Sequence, residues 1–238
     1  MKPDKVLLAL AGQPNCGKST VFNALTGASQ HVANYPGVTV DKMSGWYKHG
    51  GNKVEVVDLP GTYSLTSYSP EERVSRDFIL PDNPSVVVNV LDATNLKRCL
   101  YLTFQLLEME VPVILNPNMM DVAEKRGMEI DAAVLSKSLG IPVIPTAMKS
   151  GRGKKELIDV IFEVGSGQRG IHPVRIDYAE MEHFIREIEE KFSSESHLGD
   201  SYPLRWLAIK LMEGDSEVRR MVQKEKNPGE ALLAFVDG

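Results

Sequence analysis

The sequence predicts an α/β fold: a mainly parallel six-stranded sheet with helices on both faces, followed by a small all-α domain. Three observations predict it. Short apolar runs alternate with stretches of helical spacing up to about residue 165, the pattern of strand–helix units that build a parallel sheet. Between the first run and the first helical stretch stands Gly12-Gln13-Pro14-Asn15-Cys16-Gly17-Lys18-Ser19, which fits G-x-x-x-x-G-K-[ST]. Beyond Gly165-Ser166-Gly167-Gln168-Arg169-Gly170, a linker by composition, the strand signal stops and only helical spacing remains. The predicted domains are therefore 1–165 and 171–238.

Taken in order, Val6-Leu7-Leu8-Ala9-Leu10 reads as a buried strand, and Thr20-Val21-Phe22-Asn23-Ala24-Leu25 as a helix ending at Gly27. Strands are expected near Val40 and Val54. Only His49-Gly50-Gly51-Asn52 separates them, which is too short for a crossover, so they read as an antiparallel pair. Further strands are expected near Val86, Val111 and Val143, and further helices near Glu71, Leu96, Ala132 and Lys154. In the second domain Met181, Phe184, Ile185, Ile188 and Phe192 fall at helical spacing. Leu204, Trp206, Leu207 and Leu211 suggest a second helix, and Val218, Met221 and Val222 a third.

Three motifs carry chemistry, each at the end of a predicted strand. In the first, Gly12 and Gly17 let the backbone curl so that N–H groups point at phosphate oxygens, and the helix starting near Thr20 adds its positive dipole end. Lys18 can reach the β- and γ-phosphates, and the Ser19 hydroxyl can bind Mg. In the second, Asp58-Leu59-Pro60-Gly61, Asp58 would hold Mg through a water and the Gly61 N–H would meet the γ-phosphate. In the third, Asn118-Met119-Met120-Asp121, the carboxylate of Asp121 accepts hydrogen bonds only. It suits the N1–H and exocyclic amine of guanine, whereas adenine would leave it unpaired. Between the first two lies Asn34-Tyr35-Pro36-Gly37-Val38-Thr39-Val40, where Gly37, Val38 and Thr39 are candidate contacts and the Thr39 hydroxyl can reach Mg when a γ-phosphate is present. This makes Ala28 to Thr39 a loop ordered by nucleotide. The order of motifs indicates the P-loop GTPase fold, with GTP or GDP and Mg as ligands.

Gly-Gln-Pro-Asn-Cys-Gly-Lys-Ser, Asn-Tyr-Pro-Gly-Val-Thr-Val-Asp, Asp-Leu-Pro-Gly-Thr-Tyr-Ser-Leu and Asn-Met-Met-Asp together resemble the FeoB-type ferrous iron transporters, as do Ser69-Pro70-Glu71-Glu72 and the segment Asp121 to Gly127. The resemblance runs from about Val6 to Phe162 and continues toward the C-terminus. Generic GTPases carry a lysine after the Asn of N-x-x-D and a glutamine after D-x-x-G, where this chain has Met119 and Thr62. The resemblance implies a GTPase domain and a helical domain at the cytoplasmic face of the bacterial inner membrane. It also implies that the partner is a membrane portion of the same polypeptide that imports Fe(II), and that Asn15 helps hold a potassium ion beside the phosphates. The candidate catalytic residues are Asn15, Lys18, Thr39 and Gly61. Glu71 and Glu72 either relay the state of the second switch or cap a helix.

Two departures from the family pattern stand out. Asn116-Pro117 interrupts the strand before Asn118. Pro117 lacks an N–H and restricts Asn116 to extended backbone, so the guanine loop is expected to be displaced. The fifth motif, expected to offer a backbone N–H to the guanine carbonyl, is reduced to Thr146-Ala147-Met148.

Composition is consistent with this reading. The 238 residues carry a net charge of −5 with no basic tract, which argues against nucleic acid as a partner and against the alternative of an RNA- or ribosome-associated GTPase. The degenerate base motifs keep a second alternative open, a nucleotide-sensing module without catalysis. Two cysteines, Cys16 and Cys99, suggest a reducing compartment and no disulfide. No apolar run reaches about 18 residues, so no spanning helix is expected. A homo-oligomer is compatible with the sequence but not specified by it.

Overall fold

The computed structural model describes residues 5–35, 38–66, 68–82, 84–195 and 197–225, together with 233, 234 and 236. Strand β1, Lys5–Gly12, is the centre of the sheet. It pairs in parallel with β4, Asn52–Asp58, on one side and with β5, Val86–Asp92, on the other. Beyond β5 lies β6, Val113–Asn118, also parallel. Beyond β4 lie β3, Asp41–His49, and β2, Gln30–Asn34, both antiparallel to their neighbours. The order is β2-β3-β4-β1-β5-β6. The β3–β4 hairpin closes at His49 opposite Asn52, with Gly50 and Gly51 both at positive φ. That is the two-residue turn whose twist matches the strands.

Alternation along each strand separates two apolar layers. Leu8 and Leu10 of β1, with Val54 and Val56 of β4, face helices α1 (Lys18–Thr26) and α6 (Lys154–Gly165) through Phe22, Leu157 and Ile161. Ala9 and Ala11, with Val57 and Val87, face the other side. There they meet α2 (Pro70–Asp82) and α3 (Leu96–Glu108) through Ile79, Leu102 and Leu106. Helices thus cover both faces, as the alternating pattern requires. Helices α7 (Glu182–Glu195), α8 (Leu204–Met212) and α9 (Ser216–Lys224) form the expected helical unit. Ile185, Ile188, Phe192, Trp206 and Val218 belong to the same buried cluster as Ile79 and Leu102, so this unit extends the α2–α3 layer.

The structure corrects the sequence in three places. Residues 30–34, expected within a loop, form strand β2. All five are exposed, so the strand is held by backbone pairing to β3 and leaves no apolar alternation to read. The segment at Val143 makes only an isolated parallel bridge to Leu115, because Pro142 and Pro145 each lack the N–H that would extend a ladder. The short helix α4, Met120–Lys125, lies between β6 and α5 (Ala132–Leu139), where no helix is expected. No helix among the described residues is long and apolar enough to cross a membrane.

Candidate functional site

The parallel register brings the carboxyl ends of β1, β4, β5 and β6 to one edge: Leu10 lies opposite Asp58, Gly12 opposite Val90, and Asp92 opposite Asn118. Crevices at this edge are where open α/β sheets bind ligands. The loop leaving β1 turns through Asn15 and Gly17, both left-handed, into α1. A Cβ at Gly12 would sit 2.4 Å from Val90 O, and one at Gly17 would sit 2.4 Å from Asn118 Nδ2, so both glycines are dictated by close approach.

A pocket lies over this loop. It is lined by Gln13, Pro14, Asn15, Gly17, Lys18, Ser19, Thr20, Gly61 and Met119. Lys18 Nζ meets Asp58 Oδ1 at 2.5 Å at its floor. Burial raises the Asp58 carboxyl above its ordinary value, while the Lys18 charge pulls it back. Cys16 is buried beneath the loop, and that burial pushes its thiol up to about 11. The thiol is therefore protonated at neutral pH and is neither nucleophile nor ligand. Gln13 is bolted to the start of α3. Its Nε2 donates to Arg98 O at 3.0 Å and its Oε1 accepts from Cys99 Sγ at 3.3 Å. The Thr62 N–H bonds Gly12 O at 3.2 Å, drawing the D-x-x-G turn onto the phosphate loop.

Pro117 does not break the strand that leads to Asn118. β6 is the edge strand and runs through Pro117, which is paired with Leu91. An edge is where a strand tolerates proline. Asn118 Nδ2 donates to Cys16 O at 3.3 Å, and its Oδ1 accepts from Thr146 Oγ1 and from the Met148 N–H, both at 3.1 Å. Met119 follows in the left-handed conformation, and Asp121 stands partly buried in the first turn of α4. The N–H groups of Thr146, Ala147 and Met148 bond Pro117 O, Arg152 O and Asn118 Oδ1 respectively.

Thr39 is exposed, and the Val38 N–H bonds Tyr35 O. Neither lines the pocket. Gly37 lies outside the described residues. Glu72 accepts from Ser64 Oγ at 2.7 Å and Thr66 Oγ1 at 2.5 Å, while its own N–H bonds Ser69 Oγ. It therefore fastens the loop after Gly61 to α2 as well as sitting in that helix's first turn.

The model for ferrous iron transport protein B matches residues 6–161, and that for the FeoB cytosolic helical domain matches residues 178–237. This chain belongs to the FeoB family. It is 44% identical over 223 residues to the Fe(2+) transport protein A/Fe(2+) transporter FeoB fusion protein of Porphyromonas gingivalis, covering 92% of this chain and 26% of that protein. Its fold matches the cytosolic domain of the T. maritima FeoB iron transporter in a GDP form, with a TM-score of 0.87, 38% identity, and coverage of 98% of this chain and 96% of that one. It also matches the GMPPNP form of that domain, with a TM-score of 0.86, 37% identity and the same coverage. The chain spans about a quarter of the length of the curated FeoB relatives it matches.

Proposed function

We propose that this FeoB chain binds GTP and GDP and hydrolyses GTP, as the cytoplasmic regulatory portion of a ferrous iron transporter of the bacterial inner membrane, with domains at 1–165 and 171–238. One observation carries the reading. Asn118 ties Cys16 of the phosphate loop to Thr146 and Met148 of the fifth motif, so three nucleotide-binding segments share one rigid rim. This chain spans about a quarter of those relatives, so membrane import of Fe(II) and the membrane portion as partner are inferred from family membership.

The backbone of residues 12–20 would wrap the phosphates, and Lys18 would leave Asp58 for the β- and γ-oxygens. Asp58, Ser19 and, in the GTP state, Thr39 form an all-oxygen set suited to a hard divalent cation, and the buried Asp58 carboxyl already needs an opposing charge beside it. Held by these residues, Mg would supply positive charge against the charge that develops on the transferred phosphoryl group. The Gly61 N–H orients the γ-phosphate. Thr62 stands where generic GTPases hold the water-orienting glutamine, but it is buried with its N–H on Gly12 O, so it positions no water. Unassisted turnover is then slow, on the order of 10⁻⁴ to 10⁻³ s⁻¹. Asn15 is exposed at the pocket rim in the left-handed conformation, and its side chain makes no hydrogen bond among the described residues. This favours potassium coordination over loop bracing as its role. Asp121 reads the guanine edge beside Met119. For the guanine carbonyl, one N–H of residues 146–148 has to change its acceptor.

Calorimetry with GDP, a GTP analogue and ATP tests the base assignment. GDP and the analogue bind, ATP does not, and Asp121→Asn loses most of the guanine preference because its amide turns an acceptor into a donor. ATP binding as tightly as GTP overturns it. Single-turnover phosphate release separates the GTPase from a nucleotide-sensing module.

A further inference from the structure

The residue that interrupts the family pattern, Asn116, is fully buried and is not idle. Its Nδ2 donates to Ile144 O at 2.7 Å and to Thr146 Oγ1 at 3.0 Å. An amide nitrogen only donates, so the hydroxyl oxygen of Thr146 is filled from that side and its single proton must point elsewhere. It points to Asn118 Oδ1, 3.1 Å away. The Asn118 amide is oriented with Oδ1 toward Thr146 and Met148 and Nδ2 toward Cys16 O. The Met148 N–H, which can only donate, fixes the Asn118 amide from the far end, and the Asn116 donor fixes the direction of the Thr146 hydroxyl between them. Pro117 completes the brace, because its carbonyl takes the Thr146 N–H at 2.7 Å. Thr146 is thus held at both its backbone and its hydroxyl.

Asn116 Oδ1 is buried with no hydrogen-bond partner. An apolar side chain would avoid that standing cost, so what this asparagine contributes is its donor. We propose that Asn116 is a positioning residue of the guanine site, setting the direction of the Thr146 hydroxyl in a relay to Asn118 that holds the base-binding loops against the phosphate loop. The inference rests on the guanine-nucleotide reading above.

The test is stopped-flow release of a fluorescent GDP from wild type, Asn116→Leu, Thr146→Val, Thr146→Ser and the Asn116→Leu/Thr146→Val double variant, with the nucleotide-free thermal midpoint of each. Each of the two relay-breaking single variants is expected to release GDP roughly tenfold faster, about 1.4 kcal/mol in the barrier. Thr146→Ser, which keeps the hydroxyl, stays near wild type. The double variant releases no faster than Thr146→Val alone, because both changes cut one relay. Release from Asn116→Leu within twofold of wild type overturns the proposal. So do multiplicative effects in the double variant, or a lowered midpoint with unchanged release, which marks a purely structural residue. If Asn116→Leu does not fold, the Thr146→Val and Thr146→Ser pair decides: equal release from these two denies the relay its hydroxyl. Failure of wild type to bind the GDP probe would instead sink the guanine reading itself.

Discussion

Lys18 Nζ and Asp58 Oδ1 meet at 2.5 Å with 11% and 6% of their side chains exposed. Removing one partner of such a buried pair strands the other charge, typically at roughly 3 kcal/mol or more. Lys18→Ala should therefore destabilise the nucleotide-free protein by about that amount near pH 8, besides abolishing hydrolysis. The sign of the pH dependence follows from Asp58. Its carboxyl is raised by burial, so its contribution to stability is fullest below the ordinary carboxylate range and is lost as pH rises through its folded value. Without Lys18 the carboxyl rises further and the loss deepens. Thermal midpoints at pH 5 and pH 8 check this, and Lys18→Ala/Asp58→Asn should recover most of the deficit at pH 8. No recovery would mean that Lys18 packs the loop rather than balancing a charge. Asn15 makes a separate prediction. If it helps hold potassium only in the transition state, replacing sodium by potassium at constant ionic strength raises steady-state phosphate release severalfold. Asn15→Ala erases that difference and leaves GDP affinity nearly intact. Equal wild-type rates in the two salts would return Asn15 to a bracing role.

At the scale of elements, the two base-side segments are joined a second time. Arg152 in the loop before α6 makes a forked pair with Glu124 on α4, at 2.8 and 3.0 Å, with both side chains half exposed. Exposed pairs contribute little and are screened by salt. Arg152→Ala should thus accelerate GDP release only modestly, and 0.5 M salt should accelerate wild type to the same degree while leaving the variant unchanged. A rate insensitive to both would take the fork out of nucleotide retention. Element by element, what the sequence made legible is what short-range physics fixes. The glycines of the phosphate loop, the Gly50-Gly51 hairpin, and the apolar spacing of α7 with Ile185, Ile188 and Phe192 in the core all stand where the pattern put them. Hidden from it were features set by partners distant in sequence. β2 exists because Gly45 leaves room for Ser29 O, which a Cβ would meet at 2.4 Å, and because β3 offers a free edge. Pro117 reads as a defect until Leu91 and Thr146 are beside it. The polar relay from Asn116 spans 28 to 102 positions of chain, and no local window contains it.

At the scale of the molecule, the helical unit meets the nucleotide-binding unit through charges as well as apolar contact. Arg76 on α2 is buried and pairs with Asp77 and with Glu217 of α9. Glu108, at the end of α3, is also buried and accepts from the Tyr178 hydroxyl. Burial pushes its carboxyl up to about 7, with Lys210 and Arg205 of α8 pulling it down and Glu213 pushing it up, while Glu110 and Arg175 line the same cleft. Lys210 is itself paired with Glu213 at 2.6 Å, so Glu108 has no cation to itself. A carboxyl raised by folding contributes most below about 4.5, its ordinary value, and its contribution is lost as pH climbs through about 7. The joint between the two units should therefore loosen between pH 5 and 8, by up to about 3 kcal/mol from this group. Glu108→Gln keeps an acceptor for Tyr178 and carries no charge to bury. Its thermal midpoint should match wild type near pH 5 and exceed it at pH 8. Parallel pH profiles for the two proteins would mean that Lys210 and Arg205 keep Glu108 ionised throughout, and that this joint between α3 and α8 is held by ion pairing at every pH.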